Sequence, residues 1–506
     1  MKRVFPPSFY NMTTLSGSAI AVLSLMIIFF LMLLETFAGH QKPYMGIIAF
    51  VIMPAFLILG LLLIAVGIVR EHRREVREGD REPHLPRINL NDPRHRKAFI
   101  VFSVSSVLLL AFTAFGSFKA YEYTDSDQFC GQMCHKVMGP EFTAYSFSPH
   151  AQVGCVQCHI GPGADWFVRS KISGSYQMYA TLMNKYPRPI PTPIENLRPA
   201  QDTCEQCHWP RHFYSEKLQQ NTYYVSDKNN TKWSLRLLIK IGGGNIEVGP
   251  TSGIHWHMNI ANEITYGAKD PKRMVIPWVK VKRSDGTERV YRSSDVKVSE
   301  EEITKGPKRR MDCIDCHNRP THIYHPAARS VNHLMSLGWI DPELPFIKKV
   351  SIEALEAPYE STDAGLSGIK RAVEEFYRKE YPDLAVRKKE QIQRAVSELQ
   401  TIYSRNYFPY MKVDWKRFPN HIGHLYSPGC FRCHDGKHVS DDGKVLSTDC
   451  NVCHTIMAQQ FPGEEAQFSR TGLDYRHPVD IGKAWMDRKC SDCHGGAPLT
   501  AKKDIH

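Results

Sequence analysis

The sequence predicts three N-terminal transmembrane helices followed by a large extramembrane domain, mostly irregular and α-helical, with a β-rich insertion. Two observations carry this prediction. Three apolar runs of 20 residues or more lie within the first 118 of 506 residues. Beyond them, all 14 cysteines fall into seven close pairs, and a histidine follows the second cysteine of each pair.

The apolar runs span about residues 15–37, 46–69 and 98–118. At about 1.5 Å per residue, each crosses a hydrocarbon core about 30 Å thick. Buried core helices would be the alternative, but three such runs clustered at one end, with few charges, argue against it. The first run is too long for a cleaved signal peptide and lacks a clear small-residue cleavage site. The link from Arg70 to Lys97 holds nine Arg and Lys, whereas residues 38–45 hold only Lys42. By the positive-inside rule the N-terminus and the 70–97 link are cytoplasmic, so the chain beyond about Phe118 is expected outside. Residues 1–118 thus read as a membrane domain.

The cysteine pairs are Cys130/Cys134, Cys155/Cys158, Cys204/Cys207, Cys313/Cys316, Cys430/Cys433, Cys450/Cys453 and Cys490/Cys493. The histidines that follow are His135, His159, His208, His317, His434, His454 and His494. C-x-x-C-H is the attachment sequence of c-type haem: the thiols form thioethers to the porphyrin and the histidine ligates the iron. Disulfides, zinc sites and thioredoxin-like pairs do not require a histidine after every second cysteine. With histidine at about one residue in twenty, seven coincidences have a chance of order 10⁻⁹. The extramembrane part therefore reads as a multihaem c-type cytochrome domain with seven haem c groups. The first site departs from the pattern, with a three-residue spacer, Gly131-Gln132-Met133. Haem is attached to such cysteines on the outer face of the bacterial cytoplasmic membrane. The expected location is therefore the inner membrane, multi-pass, with the haem domain in the periplasm.

The formal charge of +12 does not point to nucleic acid. Residues up to Phe118 carry about +5 of it, and seven haems would add 14 propionates to the remainder, so Arg and Lys are read as propionate partners.

Residues 119–210 hold three sites. They include a membrane helix leading into the first site, Met138 after His135, Ser148-Pro149-His150 before the second site, Cys158-His159-Ile160-Gly161-Pro162, and Lys171 beyond it. In these features the segment resembles the NapC/NirT family of membrane-anchored, quinol-oxidising multihaem cytochromes. The resemblance implies a quinol site in which Lys171 takes part and a first haem whose iron Met138 ligates. It departs from the family in the spacer of the first site, in having three membrane helices, and in lacking any acid between Asp165 and Glu195.

Residues 211–312 carry no cysteine and read as β-rich, with a strand over 232–241 and a hairpin over 275–292 turning at Ser284-Asp285-Gly286-Thr287. His255-Trp256-His257 is expected on a strand, where its two imidazoles point to opposite faces and one, His257, ligates a haem. Residues 313–412 hold the fourth site and two helical stretches, 366–379 and 385–403; residues 413–506 hold a cluster of three sites.

Of 23 histidines, seven follow cysteine pairs and twelve others lie beyond the membrane runs, enough to give every haem a second strong ligand. The best placed in sequence are His150, His322, His424, His438 and His477, with His257 from the β-rich segment. Six-coordinate haems carry electrons, whereas a catalytic haem keeps a position open. The expected function is quinol dehydrogenation: electrons pass from menaquinol in the membrane pool through the haems to periplasmic multihaem cytochromes. A terminal oxyanion reductase and a tethered relay subunit without a quinone site are the alternatives. No nucleotide, flavin or nucleophile motif occurs, and self-association into a homo-oligomer is left open.

Overall fold

The computed structural model describes residues 10–38, 52–78, 90–133, 135–161, 163–194, 198–209, 215–243, 253–258 and 262–496. It divides into two compact units, Met1–His135 and Lys136–His506.

The first unit contains helices α1 (Met12–Ala38), α2 (Met53–Arg77) and α3 (Pro93–Thr124). Within them Met12–Leu31, Met53–Arg77 and His95–Thr124 are long and apolar enough to cross a membrane. The start expected for the second run, residues 46–51, lies outside the described residues. Asn11 caps α1 by accepting from the Thr14 amide at 2.8 Å, and donates to the Gly67 carbonyl of α2 at 3.2 Å. The two helices run antiparallel, with Thr14 beside Gly67 and Gly17 beside Gly60. A Cβ on Gly60 would sit 2.7 Å from the Ala21 amide, so the backbones meet on small residues, as membrane helices do. Helix α2 ends on Arg70, Arg73, Arg74 and Arg77, and basic residues suit the negative end of the helix dipole.

Phe129–Met133 forms a π-helical turn, which holds the long spacer of the first cysteine pair. A π turn closes on i→i+5 and takes up one more residue than an α turn.

In the second unit, α4 (His135–Ser146) buries Val137 and Ala144 in the main core. Helix α5 (Ala164–Leu182) has its large apolar residues outward: Val168, Ile172, Tyr176, Tyr179 and Leu182 are all exposed, at i, i+4 and i+3 intervals, while Lys171 is half-buried. The core itself comes from α6 (Ala327–Ser336), α7 (Ile347–Glu356), α8 (Thr362–Glu380), α9 (Pro382–Arg387) and α10 (Lys389–Asn406). Ile369, Val373 and Tyr377 of α8 and Ile392, Val396, Leu399 and Tyr403 of α10 are its apolar stripes. Gly365 lets α8 approach the Tyr403 ring, which a Cβ would meet at 2.3 Å. The helix expected over 385–403 is two helices, broken at Lys388 (φ −109°, ψ 32°). The Lys388 ammonium is tethered to Asp341 at 3.0 Å and Glu343 at 2.6 Å.

Two antiparallel sheets complete the unit. Their strands are β1 (Glu216–Tyr224), β2 (Lys232–Lys240), β3 (Glu263–Gly267), β4 (Trp278–Lys282), β5 (Glu288–Ser293), β6 (Arg309–Arg310), β7 (His438–Ser440), β8 (His454–Gln460) and β9 (Gln467–Phe468). The orders are β1-β2-β8-β9 and β6-β3-β4-β5-β7. The β4–β5 hairpin and strand β2 lie where the alternation predicts them. The β-rich segment does not close on itself, however. The unpaired edges of β2 and β5 are completed by β8 and β7 from the last 70 residues, which binds the two segments into one body.

Candidate haem sites and their histidine pairs

Each described attachment sequence from the second onward lies in or beside one short helical turn. Cys155–His159, Cys313–Cys316 and Cys490–His494 are α-helical, and Cys204–Gln206, Gly429–Arg432 and Cys450–Val452 are 3-10. Such a turn brings residues i and i+3 to one side and delivers the next histidine beneath them. The same backbone bond closes several of them: the amides of His208, His317 and His434 donate to the carbonyls of Cys204, Cys313 and Cys430 at 2.8–3.0 Å. Among the described residues from Cys158 onward, no cysteine is joined to another in a disulfide. Among the described residues no three His, Cys, Asp or Glu converge as a metal cage would require.

The histidines do converge, in twos. His208 faces His150 with ring centres 5.9 Å apart, His159 faces His322 at 6.3 Å, and His317 faces His255 at 6.3 Å. His434 faces His257 at 5.9 Å, His454 faces His424 at 6.1 Å, and His494 faces His477 at 6.3 Å. Two nitrogen-to-metal bonds of about 2.0 Å, with about 1.1 Å from each nitrogen to its ring centre, span about 6.2 Å. The six pairs are thus spaced for one iron between two imidazoles, and each contains one histidine that follows a cysteine pair. The residues present fit the haem that the attachment sequences call for.

The surroundings of the rings suit ligation. The Nδ1 atoms of His322, His255, His257 and His434 lie 2.8–3.0 Å from the carbonyls of Glu141, Ile241, Ile254 and Ser447. A carbonyl there holds the proton on Nδ1 and makes Nε2 the ligating nitrogen. Burial lowers the pKa of His159, His255, His257, His317, His424, His454 and His494, and takes His322 to about 4. The neutral imidazole is the form that binds metal. The Nδ1 atoms of His150, His424 and His454 are buried without a hydrogen-bond partner.

Several placements differ from expectation. His150 precedes the second site but faces the histidine of the third, and the second site's His159 meets His322, beyond the fourth. The His255-Trp256-His257 stretch is a 3-10 turn, Ile254–Met258, not a strand, and both imidazoles face cysteine-linked histidines. His255 is therefore a candidate site residue that alternation missed. His438, expected as a ligand, is not placed as one. It is 1% exposed, with Nδ1 2.9 Å from the Asp435 carboxylate and Nε2 2.9 Å from the Ile276 carbonyl, so both ring nitrogens are engaged within the fold. Cys134, the His135 side chain, His212 and His506 lie outside the described residues. Met138 is half-buried on α4, and Lys171 lies on α5.

The two thiols of a site are also not held alike. Cys493, expected to hold a haem together with Cys490, is exposed, whereas Cys490 is half-buried. The reason lies in the turn Cys490–His494, none of whose residues is fully buried. Cys490 enters it beside Tyr475 and Cys450, and Cys493 stands in its last turn, close to the end of the described chain. In the polypeptide alone the two thiols of the seventh site thus differ in exposure, Cys490 half-buried and Cys493 exposed. Cys207 and Cys450 are exposed in the same way, each opposite a half-buried partner.

Neighbouring sites adjoin. Burial raises the Cys158 thiol, and Cys204 and Cys207 of the third site add to the effect. Cys313 of the fourth is raised first by hydrogen bonding to Cys204. Burial raises Cys316 and Cys453, and each is pushed further by Cys430 of the fifth site; burial likewise raises Cys490 of the seventh, with Cys450 of the sixth adding. Sites two to seven follow one another in space in the order the chain supplies them.

Two further histidines, the half-buried His325 and the buried His421, lie outside the pairs. Burial takes His325 and His421 to about 4, with Arg329 and Arg432 adding to the respective shifts. Their folded values lie below the unfolded value of about 6.5, so the unfolded chain binds protons first as pH falls. Stability should decline between about pH 6.5 and 4, by up to about 1.4 kcal/mol per pH unit for each group. Denaturant unfolding across this window checks it: the His325→Gln, His421→Gln double variant should show a flatter decline, and an unchanged slope would count against the assignment.

Comparison with known proteins follows the same lines. The NapC/NirT cytochrome c family, N-terminal region, matches residues 92–190. Over 489 residues, 96% of each chain, the sequence is 46% identical to cytochrome c-type protein ImcH of Geobacter sulfurreducens (strain ATCC 51573 / DSM 12127 / PCA). No solved structure matches.

Proposed function

The chain belongs to the NapC/NirT family of c-type cytochromes, and on that footing we propose that it is an inner-membrane quinol dehydrogenase. In this reading it carries seven haem c groups in the periplasm. When bound, haem supplies reversible one-electron exchange between ferric and ferrous iron. The chain's own residues do the rest. The paired cysteines would hold each group covalently, the six histidine pairs would hold the irons of the second to seventh sites, and Lys171 would donate a hydrogen bond to a quinol oxygen. Menaquinol yields two electrons and two protons; the protons leave to the periplasm and the electrons to periplasmic multihaem cytochromes.

The observation that carries this reading is the set of six imidazole pairs. A reductase needs an open coordination position, and two imidazoles at each of these irons favour conduction over small-molecule reduction. Met138 remains our candidate ligand at the first site, where a thioether would raise the potential.

The test is reduction of the purified protein by a soluble menaquinol analogue with no partner present. Quinol should reduce the haems, and the intact mass should equal the polypeptide plus seven haems. Reduction by dithionite but not quinol would favour a relay subunit; a high-spin ferric signal in the native protein would favour a reductase. A mass with six haems would indict the Cys130/Cys134 site first.

A further inference from the structure

We infer that the His255-Trp256-His257 turn supplies an axial ligand to two different haem irons, those of the fourth and fifth sites, and so joins them through three consecutive residues. The inference rests on the reading of these sites as haem sites.

Four observations carry it. The His255 ring lies parallel to that of His317, at 2° and 6.3 Å, while the His257 ring lies perpendicular to that of His434, at 89° and 5.9 Å. Both separations match an iron between two nitrogens, and the partners belong to separate attachment sequences. Each Nδ1 is held by a different carbonyl, Ile241 at 2.9 Å and Ile254 at 2.8 Å, so each ring is aimed independently.

The turn is also braced. The His255 amide donates to the Gly242 carbonyl at 3.2 Å. Gly243 has φ +120°, and a Cβ there would lie 2.3 Å from the Trp256 amide, so glycine is what lets the strand end pass under the turn. Trp256 packs on the apolar core of the β3–β4–β5 sheet, as does Cys433 of the fifth site. Finally, the two sites are locked to each other. The buried Arg432, between the cysteines of the fifth site, donates to the Asp315 carbonyl of the fourth at 2.8 Å and to the Arg273 carbonyl at 2.9 Å. A ligand turn spanning both sites therefore meets two attachment turns already hydrogen-bonded to each other.

The two ring orientations give the test its readout. Parallel imidazole planes split the iron d orbitals rhombically; perpendicular planes leave them nearly axial, which moves the low-spin ferric EPR signal to large gmax. His255→Ala should remove one haem's intensity from the rhombic class, and His257→Ala one haem's intensity from the large-gmax class. Each should convert that haem to high spin, with the covalent haem count unchanged by pyridine haemochromogen assay. The double variant should lose both. His255→Met and His257→Met keep a ligand at each position and guard against misfolding: each should leave its haem low-spin with a raised potential. Loss of the same signal in both single variants, or full haem loading with an unaltered spectrum, would overturn the two-iron turn while leaving the quinol dehydrogenase reading intact. Absence of covalent haem from the unmutated protein would sink the underlying reading instead.

Discussion

Asp315→Ala should destabilise the haem-bearing unit by about 3–5 kcal/mol, the cost of removing one partner from a buried ion pair. Asp315 stands between the two cysteines of the fourth site and is 2% exposed. Its carboxylate accepts from the Tyr266 hydroxyl at 2.6 Å, Arg309 Nε at 2.7 Å, Arg273 Nη1 at 2.5 Å and the Asp312 amide at 2.8 Å. Removing it takes from the largely buried Arg273 guanidinium its carboxylate partner, whereas Arg309 keeps Asp312 at 2.9 Å. Arg309 retains about a third of its exposure, which places the effect toward the lower end of the range. Burial alone would raise the Asp315 pKa, but the hydrogen bonds from Arg309 and Tyr266 outweigh it and hold the group below the ordinary carboxylate value. Its contribution is therefore present above about pH 4 and lost in stronger acid. Denaturant unfolding at neutral pH measures the effect, and a loss under about 1 kcal/mol would show that the network contributes little.

Lys171→Leu should slow quinol-driven reduction roughly 10- to 100-fold, while dithionite still reduces every haem. The magnitude is that of one charge-assisted hydrogen bond, about 1.5–3 kcal/mol, expressed in a rate. Lys171 is half-buried on a helix that exposes Val168, Ile172, Tyr176, Tyr179 and Leu182 beside the polar Arg169, Ser173, Ser175 and Gln177. Unchanged quinol kinetics in the variant would exclude Lys171 from the quinol site.

The attachment sites were legible because their chemistry is local: thioether formation and proximal ligation need two cysteines and a histidine within five or six residues. The membrane helices were legible because a bilayer imposes a minimum length on an apolar run. The histidine pairing was not legible. His159 meets His322, 163 positions on, and nothing near either residue encodes the encounter. Proximity in sequence ranked His438 with His424 and His477, but only the fold supplies the Ile276 carbonyl that occupies its Nε2. Nor does the motif say how deep each thiol sits, which is why Cys490 and Cys493 look equivalent in sequence and differ in exposure. The His255-Trp256-His257 stretch looked like a strand because it follows β-rich sequence; it forms a 3-10 turn instead, which Gly243 approaches too closely for any side chain at that position. The pairing of β2 with β8 joins residues more than 200 positions apart, and alternation marks a strand without naming its neighbour.

The outward face of α5 bears on how this protein can be handled in water. Val168 is 54% exposed, Ile172 68%, Tyr176 67% and Leu182 72%, and the Tyr179 hydroxyl is met by Lys185 Nζ at 2.8 Å, an aromatic and basic border of the kind found at lipid headgroups. A chain trimmed after Thr124 sheds all three bilayer-length helices yet keeps this greasy ridge. Wetting such a ridge is unfavourable at about 25 cal/mol for each Å² of apolar surface. The trimmed domain would therefore still clump in plain buffer or cling to vesicles, and would need detergent. Solubility would come only after polar residues replaced Val168, Ile172, Tyr176 and Leu182 as well.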